Sequence, residues 1–239
     1  MRMRKKKHGE ERIDACSHLL ISRPSDLDGI INLEKGNGFG TLSTERACDP
    51  AMFFTKERRN LPVHLEIGCG KGDFICGTSS ANPDANFVAM ELIPDVACLA
   101  MEKAEKTKDT RPDNVRFVIG NAKNLFGYFL PNTLDCIYLN FSDPWPKSGH
   151  AKRRLTHRSF LEIYRTLLKD GGILKFKTDN AALFDFSMEE FEAFGLEIIW
   201  HTRDLHSSEK AAENITTEYE RNFSAKGFDI CSAWVRFKK

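Results

Sequence analysis

From residue 61 onward, short apolar runs alternate with segments that have the composition of helices. Seven strands are predicted, at residues 63–67, 86–91, 115–119, 134–140, 173–177, 196–200 and 231–237. Helices are predicted between them, at residues 73–81, 95–106, 157–169 and 181–194. Strands and helices in alternation form right-handed βαβ units around a mostly parallel sheet. The sequence therefore predicts a doubly wound α/β domain. Its last two strands have no full helix between them, which predicts an antiparallel strand at one edge.

The first 60 residues show little periodicity and hold several glycines and prolines. We predict that residues 1–60 form an irregular, partly flexible arm with one short helix, followed by a single domain at residues 61–239. Three phenylalanines, Phe39, Phe53 and Phe54, indicate that part of the arm packs against that domain. A chain of 239 residues is long enough to bury a core without a disulfide or a structural metal.

Composition excludes several classes of protein. No run approaches the roughly 18 apolar residues that a membrane helix needs, so we predict no membrane span. The basic start of the chain is not followed by the apolar segment of a secretory signal. The seven cysteines include no CxxC pair, which argues against a zinc ribbon or a redox dithiol. We expect a protein of the reducing cytoplasm that holds no metal.

A glycine-rich turn follows the first predicted strand. Gly68 and Gly70 allow the backbone to turn tightly and to approach a ligand. Their GxGxG spacing differs from the GxGxxG of dinucleotide enzymes and from a P-loop. Glu66 lies just before these glycines, where a carboxylate would repel a phosphate but attract a cationic sulfonium cofactor. The alternative is a tight turn with only a structural role.

The ends of the next two strands also carry candidate ligand-binding residues. Glu91 ends the second strand, where a sheet of this kind presents an acid to ribose hydroxyls. Asn121 and Ala122 follow the third strand, where a short polar side chain can face the edge of an adenine ring. Gly-Asn is also a common turn sequence, so this third position is the weaker signal.

The fourth strand leads into Asn-Phe-Ser-Asp-Pro-Trp-Pro-Lys, residues 140–147. Pro144 and Pro146 restrict the backbone of this segment, and we expect extended geometry through Trp145. Such a stiff loop can hold the Asp143 carboxylate and the Trp145 ring in a fixed relation. The carboxylate can accept hydrogen bonds from the N–H groups of a guanine, and the ring can stack on a base.

A basic run follows directly, and residues 147–158 contain no acid. A run of this kind is more often a solvated face than a binding surface. Beside a chemical site, however, clustered cations bind a polyanion, and we interpret the run as a contact for nucleic acid.

Five segments resemble the bacterial tRNA (guanine-N7)-methyltransferase family: LEIGCGKGDF, FVAMEL, NFSDPWPKSGHAKRRL, KTDN and TTEYERNF. The resemblance covers roughly residues 60–237. It implies the Rossmann-like fold of class I S-adenosylmethionine-dependent methyltransferases. It also implies transfer of a methyl group from S-adenosyl-L-methionine to N7 of a guanine in the variable loop of tRNA. The implied protein is a monomer or a homodimer that binds tRNA and neither a membrane nor a metal.

The resemblance also implies roles for individual residues. The methyl donor is expected to contact Glu66, Gly68, Gly70, Glu91, Asn121, Ala122 and Asp143, with Asp143 as the catalytic residue. The substrate is expected to contact Lys147, Asp179, Thr217, Glu218, Tyr219 and Glu220. Further RNA contacts are expected from Gly149, His150, Ala151, Lys152, Arg153 and Arg154. Asn121 stands where the family often has aspartate, which affects only the detail of adenine recognition.

The positions of these residues in the predicted elements agree with such roles. Asp179 ends the fifth strand and therefore lies on the same rim of the sheet as Asp143. Residues 216–221 precede the last strand, and we expect an exposed charged loop there that covers the site. Guanine N7 carries a free lone pair at neutral pH, so we expect catalysis mainly by positioning, without a general base.

Two other functions stay open at this point. The Asp-Pro-Trp sequence partly resembles the Asp-Pro-Pro-Tyr motif of amino-methyltransferases, so the substrate can be an amino group in protein or DNA. The chain can also be an RNA-binding module that keeps an unused cofactor fold. Donor binding and the identity of the methylated nucleoside separate these alternatives.

Overall fold

The computed structural model describes residues 9–21, 47–106 and 113–239. Its strands are β1 (Val63–Ile67), β2 (Asn86–Glu91), β3 (Val115–Ile119), β4 (Leu134–Asn140), β5 (Leu168–Thr178), β6 (Glu197–Thr202) and β7 (Cys231–Arg236). Within the described residues these seven strands form one sheet in the order β3-β2-β1-β4-β5-β7-β6. Strands β1 to β5 pair in parallel, whereas β7 is antiparallel to both of its neighbours. The predicted doubly wound sheet with an antiparallel strand at one edge is confirmed.

Helices cover both faces of this sheet. The described helices are α1 (Gly9–Ala15), α2 (Asp73–Ala81), α3 (Pro94–Lys106), α4 (Arg158–Leu167), α5 (Ala181–Ala193) and α6 (Glu218–Ser224). Helices α2 and α3 pack on one face around Phe74, Met101 and Phe117. Helices α4 and α5 pack on the other face, where Tyr164 and Phe184 are almost fully buried. A parallel sheet buried on both faces explains why its strands are nearly continuous apolar runs.

The boundary between α4 and β5 differs from the prediction. The sequence predicts a helix to residue 169 and a strand from residue 173, with Gly171 and Gly172 ending the helix. In the structure, α4 ends at Leu167, and Leu168 is already extended, with ψ 146°, and fully buried. Gly171 donates its N–H to the carbonyl of Phe237, and Phe237 donates back to Gly172. The glycines therefore lie within a strand that pairs with the end of the chain, and they do not cap the helix.

The described part of the first 60 residues contacts the rest of the chain at several points. Arg12 of α1, the predicted short helix, donates two hydrogen bonds of 2.6 Å to Glu102 of α3. Ile21 and Phe54 are buried in the core cluster of α4 and α5, and Phe53 packs against it. Phe39 lies outside the described residues. The division of the chain at residue 60 stays a prediction.

All seven cysteines are free thiols, and Cys98, Cys136 and Cys231 are buried, as the sequence predicts. Within residues 9–21, 47–106 and 113–239, no three His, Cys, Asp or Glu side chains lie together in a way that fits a metal ion. Among the helices that can be described, none has the length and apolar character to cross a membrane.

Candidate active site

The candidate residues gather at the carboxyl ends of the central strands. Ile67 of β1 pairs with Met90 of β2 and with Leu139 of β4. Asn140 of β4 pairs in turn with Lys177 of β5. The segments that follow these strands therefore lie side by side on one rim of the sheet, where ligands bind in folds of this kind.

The glycine turn after β1 borders open space. Gly68 and Gly70 have φ values of 79° and 56°, the left-handed region that favours glycine. A Cβ atom on either residue would meet no atom within 4 Å, so this side of the turn is free for a ligand. Gly72 has a different role, because a Cβ there would lie 2.8 Å from the Cβ of Ala100. Gly72 therefore allows the start of α2 to pack closely against α3.

Glu91 is held by the backbone of two neighbouring loops. Its Oε2 accepts a hydrogen bond of 3.0 Å from the Gly70 N–H, and its Oε1 accepts one of 3.0 Å from the Ile93 N–H. Each oxygen keeps a second lone pair that can accept a bond from a hydroxyl. Leu92 and Ile93, which follow it, are large apolar residues exposed at the rim. The sequence analysis missed both, and exposed apolar side chains of this size beside an acid are a signal for a ligand surface.

Glu66 is the most unusual carboxylate of the site. Its side chain is 2% exposed, and its Oε1 accepts a hydrogen bond of 2.9 Å from the Asn140 Nδ2. Its Oε2 is buried and has no hydrogen-bond partner among the described residues. Burial raises the pKa of Glu66 to about 7, against the opposing effects of the Asn140 hydrogen bond and the Lys177 charge. A buried carboxylate oxygen without a partner indicates that a donor or a cation belongs beside it.

Asn121 and Ala122 lie at the end of β3, as predicted. Asn121 is exposed, and its Oδ1 accepts a hydrogen bond of 3.0 Å from the Lys123 N–H at the start of a 3-10 turn, Ala122–Gly127. Ala122, the first residue of this turn, is buried. The side-chain Oδ1 of Asn121 is thus used within the turn, while its Nδ2 group remains on the rim.

Residues 141–147 form a loop that we call the Asp143 loop. Asp143 is exposed, and it lies between two large residues in the left-handed region, Phe141 with φ 54° and Trp145 with φ 41°. Bulky residues at positive φ store strain and persist only where other contacts hold them. The prediction of extended geometry through Trp145 is therefore wrong at that residue. The Ser142 Oγ in the same loop is buried and has no hydrogen-bond partner among the described residues.

Arg154 supplies the contacts that hold the Asp143 loop. Its Nε donates a hydrogen bond of 3.0 Å to the carbonyl of Pro144, and its guanidinium donates another of 3.1 Å to the carbonyl of Trp145. The guanidinium also lies 4.2 Å from the ring centroid of Phe186 on α5. Although the sequence analysis expects Arg154 to contact RNA, its side chain in the structure is half-buried and supports the loop.

The other predicted RNA contacts lie in what we call the basic turn, residues 147–154, and most are exposed. Residues 148–153 form a short 3-10 helix, and the exposed members of the turn are Lys147, Ser148, Gly149, Lys152 and Arg153. The Arg153 guanidinium lies 4.9 Å from the Trp145 ring centroid, and the His150 ring meets the same ring edge-on. Ala151 is half-buried. The turn thus presents cations beside the ring that was expected to stack on a base.

Residues 216–221 form the start of a helix and not the expected loop. The Thr217 Oγ1 accepts a hydrogen bond of 3.1 Å from the Glu220 N–H and thereby caps α6. Glu218 is exposed in the first turn, and it pairs with Lys71 at 3.2 Å. Its N–H donates a bond of 2.8 Å to Asp73, which ties α6 to the start of α2.

Tyr219 brings α6 to the rim. Its ring centroid lies 4.9 Å from that of Phe141, and its hydroxyl donates a long hydrogen bond of 3.5 Å to Asp179. Burial, followed by the charge and hydrogen bond of Asp179, raises the pKa of Tyr219 to about 12. The structure therefore brings Tyr219, Asp179 and the Asp143 loop together, and their role as substrate residues stays a prediction.

Glu220 is 0% exposed, in contrast to its neighbours. Its Oε2 accepts a hydrogen bond of 2.7 Å from the Lys177 Nζ, and its Oε1 lies 2.6 Å from the Asn214 Nδ2 and 2.7 Å from the His206 Nε2. Burial alone would raise the pKa of Glu220, but the Lys177 charge and these hydrogen bonds bring it below its usual value. The sequence analysis missed Lys177, because alternating lysines in a strand indicate a solvated face.

Known proteins resemble this chain over nearly its whole length. Residues 60–233 match a family described as "Putative methyltransferase". The chain is 38% identical over 230 residues to a tRNA (guanine-N(7)-)-methyltransferase of Lysinibacillus sphaericus (strain C3-41), covering 96% of this chain and 95% of the relative. It is 37% identical over 238 residues to one of Bacillus subtilis (strain 168), covering 100% of both.

Solved structures share the fold at lower identity. One is a 16S rRNA (adenine(1408)-N(1))-methyltransferase from Catenulisporales acidiphilia, determined with the cosubstrate SAM. It is 12% identical, covers 77% of this chain and 89% of its own, and has a TM-score of 0.54. At that identity the likeness concerns the fold alone. The family match and the relatives above go further, and this chain belongs to the tRNA (guanine-N(7)-)-methyltransferase family.

Proposed function

We propose that the protein transfers a methyl group from S-adenosyl-L-methionine to N7 of a guanine in the variable loop of tRNA, in the cytoplasm. Identity to the curated relatives over nearly the whole chain supports the reaction and the tRNA substrate. The observation that carries the donor site is the buried Glu66 Oε2, which has no partner among the described residues beside an open glycine turn.

The residues on this rim fit S-adenosylmethionine. When bound, this compound supplies an activated methyl group on a positively charged sulfur. The Glu66 carboxylate is suited to a ligand that carries positive charge, since a phosphate would be repelled there. Glu91 keeps lone pairs for ribose hydroxyls, and Leu92 offers an apolar surface for the adenine ring. Gly68 and Gly70 leave room for the ligand against the backbone.

Asp143 is proposed as the residue that orients the guanine. N7 has a lone pair that is free at neutral pH, so no group of the protein has to remove a proton. The protein must align the nitrogen with the methyl group and exclude water, and such alignment can supply as much as ~7–11 kcal/mol of the barrier. Asp143 is an exposed carboxylate on a strained loop that Arg154 holds in place. It is suited to accept hydrogen bonds from the N–H groups of guanine. It also stabilises the positive charge that develops on the purine.

The remaining predicted contacts divide into two groups. We propose that Lys147, Lys152 and Arg153, which are exposed, bind phosphates, and that Tyr219, whose ring contacts Phe141, contacts a base. Arg154 and Glu220 are engaged with the protein itself, and we propose that they position the Asp143 loop and α6. This assignment changes the roles that the sequence analysis expected for these two residues.

The test is methyl transfer from labelled S-adenosylmethionine to an unmodified tRNA transcript, with the product nucleoside identified by mass. We expect 7-methylguanosine, located in the variable loop. A matched transcript with 7-deazaguanosine at that position lacks the accepting nitrogen and should receive no label. Label on an exocyclic amino group would overturn the choice of N7. A protein that binds tRNA but no donor would instead be the RNA-binding module considered above.

A further inference from the structure

Four aromatic side chains form a continuous series that leads away from the Asp143 loop, and we call them the aromatic row: Phe141, Tyr219, Phe223 and Phe228. We propose that the aromatic row binds unstacked RNA bases next to the target guanine. This inference rests on the proposed function and adds the nucleotides that flank the methylated base as ligands.

The rings of the row lie within contact distance of one another. The Tyr219 centroid is 4.9 Å from that of Phe141 and 4.3 Å from that of Phe223, with which it is stacked at 18°. The Phe223 centroid is 5.7 Å from that of Phe228. Since Phe141 belongs to the Asp143 loop, the row connects the proposed reaction centre with the far end of α6.

Two members of the row have large exposed areas. Tyr219 is 43% exposed and Phe228 is 50% exposed. The backbone fixes the position of Phe228, because its N–H donates to the carbonyl of Phe223 and Gly227 before it has φ 81°. This arrangement is a common helix end, in which an apolar contact between the two residues is expected. That contact does not account for the half of Phe228 that remains in solvent.

The charges around the row suit a nucleic acid strand. The Lys226 Nζ lies 4.9 Å from the Phe223 centroid, and Arg221 is exposed on the same helix. Of the nearby acids, Asp179 accepts the hydrogen bond of the Tyr219 hydroxyl, Glu218 is paired with Lys71, and Asp229 is exposed. Exposed rings between cations are the usual surface for single-stranded nucleic acid, since bases stack on the rings and phosphates meet the cations.

The need to expose the target guanine explains what the aromatic row contributes. A guanine inside folded tRNA has to become accessible, and unstacking a base costs a few kcal/mol. Rings that stack on the neighbouring bases offset this cost and hold the strand in the opened form. Stacking depends little on sequence, so the row can accept the different nucleotides that flank the target.

The experiment compares Phe228→Leu with Phe228→Trp. Leucine keeps the apolar contact with Phe223 but has no ring, whereas tryptophan keeps a ring. For Phe228→Leu we expect about tenfold weaker tRNA binding with an unchanged salt dependence, and for Phe228→Trp binding close to the wild type. Donor affinity should stay the same in both variants. The matched control is Ile199→Ala, an exposed apolar residue on the distant edge strand β6, which should leave tRNA binding unchanged.

A second measurement uses the unaltered protein, so its result does not depend on whether the variants fold. A tRNA with 5-iodouridine next to the target guanine is irradiated in the complex, and crosslinks to Tyr219 or Phe228 are expected. Crosslinks confined to residues 147–154, or a folded Phe228→Leu protein with wild-type tRNA affinity, would overturn the aromatic row as a base site. Absence of 7-methylguanosine with the wild-type protein would instead overturn the proposed function, so the two failures can be told apart.

Discussion

The proposed donor side and the proposed substrate side, below called the donor side and the substrate side, are held by different kinds of contact. On the donor side, Gly70 and Ile93 hold Glu91 through backbone N–H groups, within loops that leave adjacent strands. On the substrate side, charged side chains contribute to holding the Asp143 loop and α6. The donor side is thus part of the sheet, while the substrate side depends on Arg154 and on the Lys177–Glu220 ion pair. We expect substitutions on the substrate side to alter tRNA methylation with little effect on donor binding.

The largest effect is expected for Glu220→Leu. This change leaves the buried Lys177 ammonium without its carboxylate, and breaking a buried pair in this way costs about 3–5 kcal/mol. Urea unfolding should show a loss of that size in the free energy of unfolding. At low temperature, where the variant is folded, calorimetry should still detect donor binding near the wild-type affinity.

The double variant Lys177→Met with Glu220→Leu is the control for this prediction. It removes both charges, and an apolar pair of similar volume should recover a large part of the lost stability. If Glu220→Leu weakens donor binding as strongly as tRNA methylation, the two sides of the site are coupled and the comparison fails.

Next in size is the effect of Asp143→Ala on turnover. Loss of a hydrogen bond to a charged group costs about 1.5–3 kcal/mol, which corresponds to a decrease in kcat of about 10-fold to 100-fold. The donor Kd should change much less, because Glu66 and Glu91 remain. Asp185→Ala, an exposed acid on α5, is the matched control and should retain wild-type turnover. Near-normal turnover of Asp143→Ala would remove this carboxylate from the site.

The difference between the donor side and the substrate side also explains which features could be predicted from the sequence. Strands β1 to β4 have their predicted bounds, because each is an apolar run that ends in a glycine or a polar residue. Glu66 and Glu91 could be selected as candidate donor contacts for the same reason, since a strand end is visible in the sequence; their role stays a prediction. The contacts of Arg154 and Glu220 could not be predicted, because a basic run and a charged helix resemble solvated faces until their partners in the fold are known.

The basic turn offers a smaller effect that separates phosphate contacts from support of the loop. Lys152→Ala with Arg153→Ala removes two exposed cations, so the log–log salt dependence of tRNA binding should become flatter by about 1.4–1.8. Arg154→Ala should leave that slope unchanged and lower kcat, because its guanidinium binds Pro144 and Trp145. A flatter slope for Arg154→Ala, or an unchanged slope for the double variant, would contradict this division.

The smallest expected effect is the dependence of donor affinity on pH. Because the pKa of Glu66 is raised to about 7, its contribution to the stability of the unliganded protein is complete at low pH and is lost as the pH rises through 7. A positively charged donor needs the ionised carboxylate, so its affinity should increase about tenfold between pH 6 and pH 8, with release of nearly one proton at pH 6. Calorimetry in buffers of different ionisation enthalpy measures this release. Glu66→Gln should bind the donor more weakly at pH 8 and release fewer protons at pH 6. A variant that keeps the wild-type proton release would show that the charge on Glu66 is not what the ligand meets.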